Sequence, residues 1–230
     1  MARDARAAHS PRRRRAADDD DAPQTLDACR RCWLWEHATQ AVPGAGPPRA
    51  AIMLVGEQPG NQEDREGAPF VGPAGRVLER ALAAAGLDRA SVYVTNAVKH
   101  FKWAPRGKRR MHKTPAQQEI DACRYWLERE LDALGPRVVV ALGAIALKAV
   151  LDDRHARLQP AMGVVQSAGG RYVIATYHPS FVLRVPDPDA RKRAYAAIVE
   201  ACRIAHELAQ RTDGAPRRRA RADERDSRPR

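Results

Sequence analysis

The sequence lacks long apolar runs, and no stretch approaches the roughly 20 apolar residues that a membrane-spanning helix needs. The first 25 residues also lack the apolar centre of a secretory signal peptide. We therefore expect no association with a membrane and a cytoplasmic location. Cysteine is scarce too, with four among 230 residues. In a reducing compartment these thiols are not expected to form disulfides.

Acidic residues are outnumbered, because 40 Lys and Arg face 28 Asp and Glu, which gives a formal net charge of +12. Residues 1–25 contribute +1 and residues 211–230 contribute +4, which leaves +7 for residues 26–210. Both ends are charge blocks without apolar periodicity, so we predict disordered charged tails at 1–25 and 211–230 around one domain at 26–210. A basic domain suits a polyanionic partner, but charge alone does not choose between DNA, RNA and simple solubility.

Short β-branched runs alternate with helical patterns in the body of the chain. This alternation predicts an α/β fold, a three-layer αβα domain with a mostly parallel four-stranded sheet. The predicted strands are Ala51–Gly56, Val92–Val98, Arg137–Leu142 and Tyr172–Thr176. The predicted helices are Ala74–Ala85, Pro115–Leu134, Gly143–Leu151 and Ala190–Gln210.

Three unusual segments follow the predicted strands: residues 56–70, 96–112 and 177–180. Loops that leave the carboxyl ends of parallel strands converge on one edge of the sheet, where such folds bind ligands. We therefore expect Glu57, Asn96 and His178 to face one cleft. The 99–115 segment adds seven Lys or Arg and no acid, with two aromatic residues between them, which favours a surface that follows a nucleic-acid strand. An ordinary solvated loop is the alternative.

The cysteines divide into a Cys-x-x-Cys pair, Cys29 and Cys32, and two distant residues, Cys123 and Cys202. The pair does not follow a strand, which argues against a thioredoxin-type redox motif. A four-ligand metal site could add Cys123 and His100, and the spacing leaves zinc and an iron-sulfur cluster equally open. Cys202 falls in an apolar-periodic helix, where a small buried side chain is the simpler interpretation.

Taken together, the motifs resemble the uracil-DNA glycosylase superfamily, most closely its iron-sulfur family 4 and the related UdgX proteins. The resemblance covers residues 26–210. Its motifs are Gly-Glu-Gln-Pro-Gly at 56–60, Pro-Phe-Val-Gly at 69–72, a strand ending at Asn96, and His-Pro-Ser at 178–180. His100, where family 4 carries Cys, and the basic segment at 106–115 point to UdgX. Met111 replaces an Ile of the UdgX segment, and Asn61 stands where close relatives carry Asp.

The resemblance implies uracil-containing DNA as the partner, preferably single-stranded, and a monomeric protein associated with the nucleoid. It implies a structural [4Fe-4S] cluster held by Cys29, Cys32, His100 and Cys123. It assigns substrate binding to Gly56, Gln58, Phe70, Asn96 and Ser180, and DNA contacts to Lys108, Arg109, Arg110 and Lys113. Phe70 would stack on an everted uracil, and the Asn96 amide would bind the base edge. Taken singly, a core aromatic and a turn-forming Asn would be the ordinary interpretations of these two.

The implied chemistry is cleavage of the bond between uracil and its sugar. His178 would donate a hydrogen bond to the leaving uracil, and Glu57 would stabilise cationic character at the sugar or act as a base. The UdgX resemblance further implies that His112 attacks the sugar C1′, so that the protein stays covalently bound to DNA. A lone His in a basic loop would otherwise be interpreted as a phosphate contact.

Three other functions stay open at this point. A conventional glycosylase would release many equivalents of uracil without an adduct. A metal-stabilised nucleic-acid-binding module would bind uracil and thymine alike and release no base. A phosphate-binding or nucleotide-binding domain has little support, because residues 56–60 lack the Lys-Ser/Thr of a P-loop.

Overall fold

The computed structural model of the protein describes residues 23–211. The tails predicted at 1–25 and 211–230 lie almost entirely outside these residues, so their disorder stays a prediction. Within residues 23–211 no helix is both long and apolar enough to cross a membrane.

A five-stranded sheet forms the centre of the domain. Its order is β2 (Tyr93–Asn96), β1 (Ile52–Gly56), β5 (Val138–Leu142), β7 (Arg171–Thr176) and β6 (Val165–Ala168). The first four strands run parallel, and β6 pairs antiparallel with β7. The mostly parallel α/β fold is confirmed, but the predicted number of four strands is wrong. Strand β6 is a short edge strand of alternating exposed and half-buried residues, so no apolar run reveals it.

Helices cover both faces of this sheet. One face carries α2 (Pro73–Ala84), α6 (Pro179–Arg184) and α7 (Pro188–Gln210). The other carries α3 (Gln117–Leu134), α4 (Ala144–Leu151) and α5 (Leu158–Ala161). Short 3-10 turns lie at Trp33–Glu36 and Arg89–Ser91, and helix α1 (Asn61–Glu66) follows β1. The predicted three layers are therefore present.

Strand β1 shows how the apolar sequence forms the core. Ile52 and Leu54 belong to the core layer under α2 and α7, whereas Met53 and Val55 belong to the layer under α3 and α4. All five residues of the strand are buried. A central parallel strand is covered on both faces, which is why its sequence is continuously apolar.

A separate two-stranded hairpin stands beside the sheet edge, formed by β3 (Trp103–Arg106) and β4 (Arg109–His112). Gly107 and Lys108 form its turn, and Gly107 has a left-handed φ of 57°. A glycine at this position suits a tight hairpin turn. The sequence predicted a basic loop here, because charged residues and a proline in β3 conceal the strand pattern. His112 is consequently the last residue of a strand, paired opposite Trp103.

Candidate active site

A cavity of about 220 Å³ opens at the carboxyl edge of the parallel strands. Among its lining residues are six that the sequence singled out: Gln58, Phe70, Asn96, His112, His178 and Ser180. The three segments that follow the strands therefore converge. Gly56 and Glu57 do not line the cavity wall, but each lies directly against residues that do.

Gly56 allows two lining side chains to approach the strand end closely. A Cβ at this position would lie 2.3 Å from Asn96 Oδ1 and 2.6 Å from Phe70 Cζ. Gly75 does the same for the Phe70 backbone, because its Cβ would lie 1.6 Å from the Phe70 carbonyl oxygen. Phe70 itself has a left-handed φ of 58°. Such strain costs roughly 1–3 kcal/mol in a non-glycine residue and clusters at functional sites.

Asn96 is the last residue of β2 and is buried. Within the described part of the chain its side-chain amide makes no hydrogen bond to another protein group. An amide offers both donors and an acceptor, so Asn96 presents its full hydrogen-bonding capacity to the cavity.

Glu63 is a buried carboxylate that the sequence did not identify as a site residue. Its Oε2 accepts the backbone N–H of Gly60 at 3.0 Å, and its Oε1 accepts that of Gly72 at 2.8 Å. It thus joins the two loops that flank Phe70. The spacing of three residues between Gly60 and Glu63 is that of a capping box, which would have indicated half of this role.

Gln58 attaches the hairpin to the sheet edge. Its Oε1 accepts the backbone N–H of Lys102 at 3.0 Å, and its Nε2 donates to the carbonyl oxygen of Lys113 at 2.9 Å. These two contacts fix the orientation of the amide. In a reversed amide the NH2 group would face the N–H of Lys102, and the oxygen would face the carbonyl oxygen of Lys113. Nε2 also lies 2.8 Å from Nε2 of His112.

The Gln58 contact defines the state of the His112 ring. Because the amide nitrogen is a donor, Nε2 of His112 carries the lone pair and the neutral ring carries its proton on Nδ1. Burial lowers the pKa of His112 below its ordinary value of 6.5, and the neighbouring Arg184 lowers it further. The His112 side chain nevertheless remains 47% exposed. The ring is therefore a neutral base that solvent and substrate can reach.

Glu57 lies next to this ring. Its Oε1 is 3.6 Å from His112 Nε2, which is beyond hydrogen-bonding distance. The same oxygen is buried without a hydrogen-bond partner among the described residues. Burial raises the pKa of Glu57 above its ordinary 4.5, against an opposing influence of Arg184. A buried acceptor without a partner costs about 1–3 kcal/mol, which marks it as a group held for a ligand.

His178 is oriented by the start of helix α6. Its Nδ1 accepts the backbone N–H of Ser180 at 3.2 Å and lies 2.8 Å from Ser180 Oγ. Burial lowers the pKa of His178 to about 4, with further lowering by Arg184 and His112. The neutral ring must therefore carry its proton on Nε2. His178 can donate one hydrogen bond into the cavity without being charged.

Arg184 is a cavity residue that the sequence did not identify. It is exposed at the end of α6, and its charge influences Glu57, His112 and His178 together. Its position one helical turn beyond His-Pro-Ser was the available signal.

The hairpin separates the predicted DNA-contacting residues into two groups. Lys108, Arg109 and Lys113 are exposed. Arg110 instead forms an ion pair at 2.6 Å with the fully buried Asp64 and a hydrogen bond with Asn61. The guanidinium of Arg110 therefore anchors the hairpin, and its predicted contact with DNA stays a prediction.

Two further residues of the basic segment also lie inside the protein. Lys99 is fully buried and pairs with Glu130 at 2.6 Å. Phe101 is 1% exposed and packs near the His112 ring and the Arg110 guanidinium. The strand-following surface is consequently smaller than the sequence predicted.

The predicted metal ligands are only partly assembled. Cys29 and Cys123 are buried in one core layer with the half-buried Cys32 beside them. Among residues 23–211, no group of three or more His, Cys, Asp or Glu is arranged to hold a metal ion. Burial raises the pKa of Cys123 to about 12, against an opposing influence of Lys99, whose backbone N–H donates to Cys123 Sγ at 3.1 Å. Three neighbouring thiols suit a soft metal, but the ligand geometry is not formed.

Comparison with known proteins agrees with this architecture. The family model described as the uracil DNA glycosylase superfamily matches residues 43–201. The chain is similar to the Type-4 uracil-DNA glycosylase of Sulfurisphaera tokodaii, with 36% identity over 171 residues, or 70% of this chain and 73% of that protein. The Type-4 enzyme of Archaeoglobus fulgidus is 37% identical over 174 residues, 73% of this chain and 84% of the relative. That of Pyrobaculum aerophilum is 38% identical over 171 residues, 71% and 83% respectively. The chain belongs to the uracil-DNA glycosylase superfamily.

Proposed function

We propose that this protein recognises uracil in DNA and cleaves the N-glycosidic bond that joins uracil to the sugar. The names of its relatives and the composition of the cavity support this activity. In this proposal Phe70 stacks on the everted base and Asn96 binds its hydrogen-bonding edge, with Gly56, Gln58 and Ser180 shaping the site. Eversion is needed because a base within a duplex is out of reach of a closed pocket.

Bond cleavage leaves negative charge on uracil and positive character on the sugar. The Nε2–H of neutral His178 is the donor for the uracil oxygen, as an oxyanion-stabilising group should be preorganised before the reaction. Glu57 supplies the opposing charge. Its buried Oε1 faces the region of His112 Nε2 at 3.6 Å, which favours electrostatic stabilisation over direct proton abstraction.

We further propose that His112 attacks C1′ and stays bound to the DNA, as the UdgX resemblance implies. The Nε2 lone pair forms a bond to C1′ while the bond from C1′ to the base breaks, and uracil leaves with the electron pair. The resulting imidazolium retains its proton on Nδ1 and is stabilised by Glu57. Until the sugar arrives, the Gln58 amide donates a hydrogen bond to the Nε2 lone pair, and C1′ then takes the place of this donor. The single observation that carries this step is the neutral Nε2 of His112 lying beside an unpartnered buried carboxylate.

A denaturing gel tests the proposal. Protein incubated with labelled single-stranded DNA that contains one uracil should give a heat- and detergent-resistant shifted band, whereas a thymine control should not. His112→Ala should abolish the band, and His155→Ala should leave it unchanged because His155 is exposed and does not line the cavity. Several equivalents of free uracil per protein without any band would instead establish a conventional turnover glycosylase. Binding without release of uracil would establish a non-catalytic module.

We also propose that Cys29, Cys32, His100 and Cys123 hold a [4Fe-4S] cluster. Such a cluster would tie the N-terminal segment to the sheet and has no part in base excision. Cluster binding would require the Cys123 thiol to lose its proton, which a metal drives by coordination. Iron and sulfide analysis after Cys123→Ser should show loss of metal. Cys202→Ser is the matched control, since Cys202 is buried in α7 in the core layer on the other face of the sheet.

Four further properties stay predictions. We expect Lys108, Arg109, Arg110 and Lys113 to contact DNA phosphates, and we expect a preference for single strands. We also expect a monomer and a cytoplasmic, nucleoid-associated location.

A further inference from the structure

Two tryptophan side chains are exposed on the 3-10 turn Trp33–Glu36. Trp33 is 46% exposed and Trp35 is 37% exposed. Tryptophan is highly buried on average, so two exposed rings on one turn need an explanation. Exposed apolar groups with polar rims mark interaction sites.

One cation lies over each ring, and the ammonium of Lys102 is also paired with Glu119 at 2.9 Å. The Arg30 guanidinium lies 4.2 Å from the centroid of the Trp35 ring, and the Lys102 ammonium lies 5.6 Å from that of Trp33. Arg31 is also exposed on the same segment. Glu36 is the carboxylate of the turn itself. Rings interleaved with cations are the composition of a surface that binds unpaired nucleic acid.

Direct contacts connect this surface to the cavity. Trp33 packs edge-on against His37 with ring centroids 5.7 Å apart, and the His37 carbonyl oxygen accepts Trp103 Nε1 at 2.8 Å. Trp103 pairs with His112 across the hairpin. On a second route, Lys102 links Trp33 to Gln58, which lines the cavity. A DNA strand that leaves the cavity over the hairpin would therefore pass close to Trp33.

We propose that Trp33, supported by Trp35, Arg30 and Lys102, stacks an unpaired base of the same DNA strand whose uracil occupies the cavity. The identity of the cavity ligand rests on the proposed function. Stacking of a base on an exposed aromatic ring contributes about 1–3 kcal/mol. In a duplex the neighbouring bases are already stacked and paired. The Trp33 contact is therefore available to single strands alone, which gives the expected strand preference a structural cause.

Equilibrium binding of single-stranded oligonucleotides tests this contact. All proteins compared carry His112→Ala so that no covalent adduct forms, and wild type refers here to residue 33. Trp33→Ala should weaken binding roughly tenfold, within the range that stacking supplies, and Trp33→Phe should retain most of the affinity. Val165→Ala is the control, because Val165 is exposed on the edge strand β6 and lies outside the cavity. Duplexes should bind the wild type and Trp33→Ala equally.

Shortening the strand locates the contact. Oligonucleotides with a central uracil are trimmed one nucleotide at a time from each end. The wild type should lose affinity at one length on one side only, and Trp33→Ala should show no such step. Equal affinity of wild type and Trp33→Ala at every length would overturn the inference. So would a Trp33→Ala effect that is the same for duplex and single strand.

Photo-crosslinking of the wild-type protein provides a measurement that no variant can confound. Bromodeoxyuridine placed at successive positions beside the uracil should crosslink to Trp33 or Trp35, as identified by mass spectrometry. Absence of both crosslinks at all positions would contradict the proposed stacking of a DNA base on Trp33. Release of uracil is measured in the same samples. Crosslinks without release of uracil would contradict the proposed function but would still support stacking of a DNA base on Trp33.

Discussion

The two walls of the cavity are built in different ways. The sheet wall consists of Phe70 and Asn96, which are buried and packed so closely against Gly56 that no Cβ fits there. The hairpin wall carries His112, whose side chain is 47% exposed. Polar contacts hold the hairpin in place, mainly those of Gln58 and the Arg110–Asp64 ion pair.

This difference in packing indicates which wall of the cavity can move when DNA binds. Close packing fixes atoms to within fractions of an ångström, because every displacement produces a collision or a void. The hairpin is held by a few hydrogen bonds and one partly buried ion pair, so a small movement of it disturbs only these contacts and not a packed core. In the proposed function, base recognition therefore lies on the rigid wall, and the proposed nucleophile lies on the wall that can move while the strand enters.

The largest effect should follow from a change in the sheet wall. Gly56→Ala places a methyl group 2.3 Å from Asn96 Oδ1, so Asn96 and Phe70 must both move. A displacement of about 1 Å at a reacting site costs roughly 10²-fold. We expect the rate of adduct formation or uracil release, measured in single-turnover assays, to fall by at least about that factor.

Gly135→Ala is the matched control for Gly56→Ala. Gly135 has a left-handed φ of 57°, but a methyl group added there would meet nothing within 4 Å among the described residues. It should lose some stability through backbone strain and keep the reaction rate. Full activity of Gly56→Ala would show that the sheet wall can move as easily as the hairpin wall, which would contradict the difference between them.

A smaller effect should follow from weakening the hairpin wall. Asp64→Asn keeps a hydrogen-bond acceptor for the backbone N–H of Thr39 but removes the charge that pairs with Arg110. Removing one member of a buried pair costs about 3–5 kcal/mol, and the partial exposure of Arg110 places this pair at the low end. We expect about 3 kcal/mol lower unfolding stability and a roughly tenfold slower attack by His112, with the affinity for free uracil unchanged.

Asp189→Asn serves as the control, since Asp189 forms an exposed pair with Lys192 at 3.6 Å. Exposed pairs contribute little to stability. A parallel loss of uracil affinity in Asp64→Asn would contradict the separation of the two walls.

The smallest effect should come from mild acidification. The pKa of His112 lies below 6.5 and that of Glu57 above 4.5, both because of burial. The proposed attack needs His112 neutral and Glu57 ionised, so the rate of adduct formation should fall as a decrease in pH protonates either group, and the part of the fall caused by His112 should lie below pH 6.5. In Glu57→Gln, where this carboxyl no longer titrates, a fall in rate that begins above about pH 7 would contradict a lowered pKa of His112.

The strand ends were predictable from the sequence because each apolar run stops where a polar or glycine-rich segment begins. Gly56, Asn96 and His178 each mark such a stop, so their convergence followed from the parallel sheet alone. The hairpin was not predictable, because strands rich in Arg and interrupted by Pro105 lack alternation of apolar and polar residues. Glu63 and Asp64 were missed because charged residues on a six-residue helix ordinarily face solvent.

By itself, the sequence determined the layered fold, the edge of the sheet that carries the site, and which side chains stand at the strand ends. These depend on local apolar patterns and on the rule that parallel strands end together. Only the tertiary structure decided that Lys99 is buried against Glu130, that Arg110 pairs with Asp64, and that the proton of His112 lies on Nδ1. The partner of a charge and the tautomer of a ring depend on groups distant in the chain, whose positions no local pattern encodes.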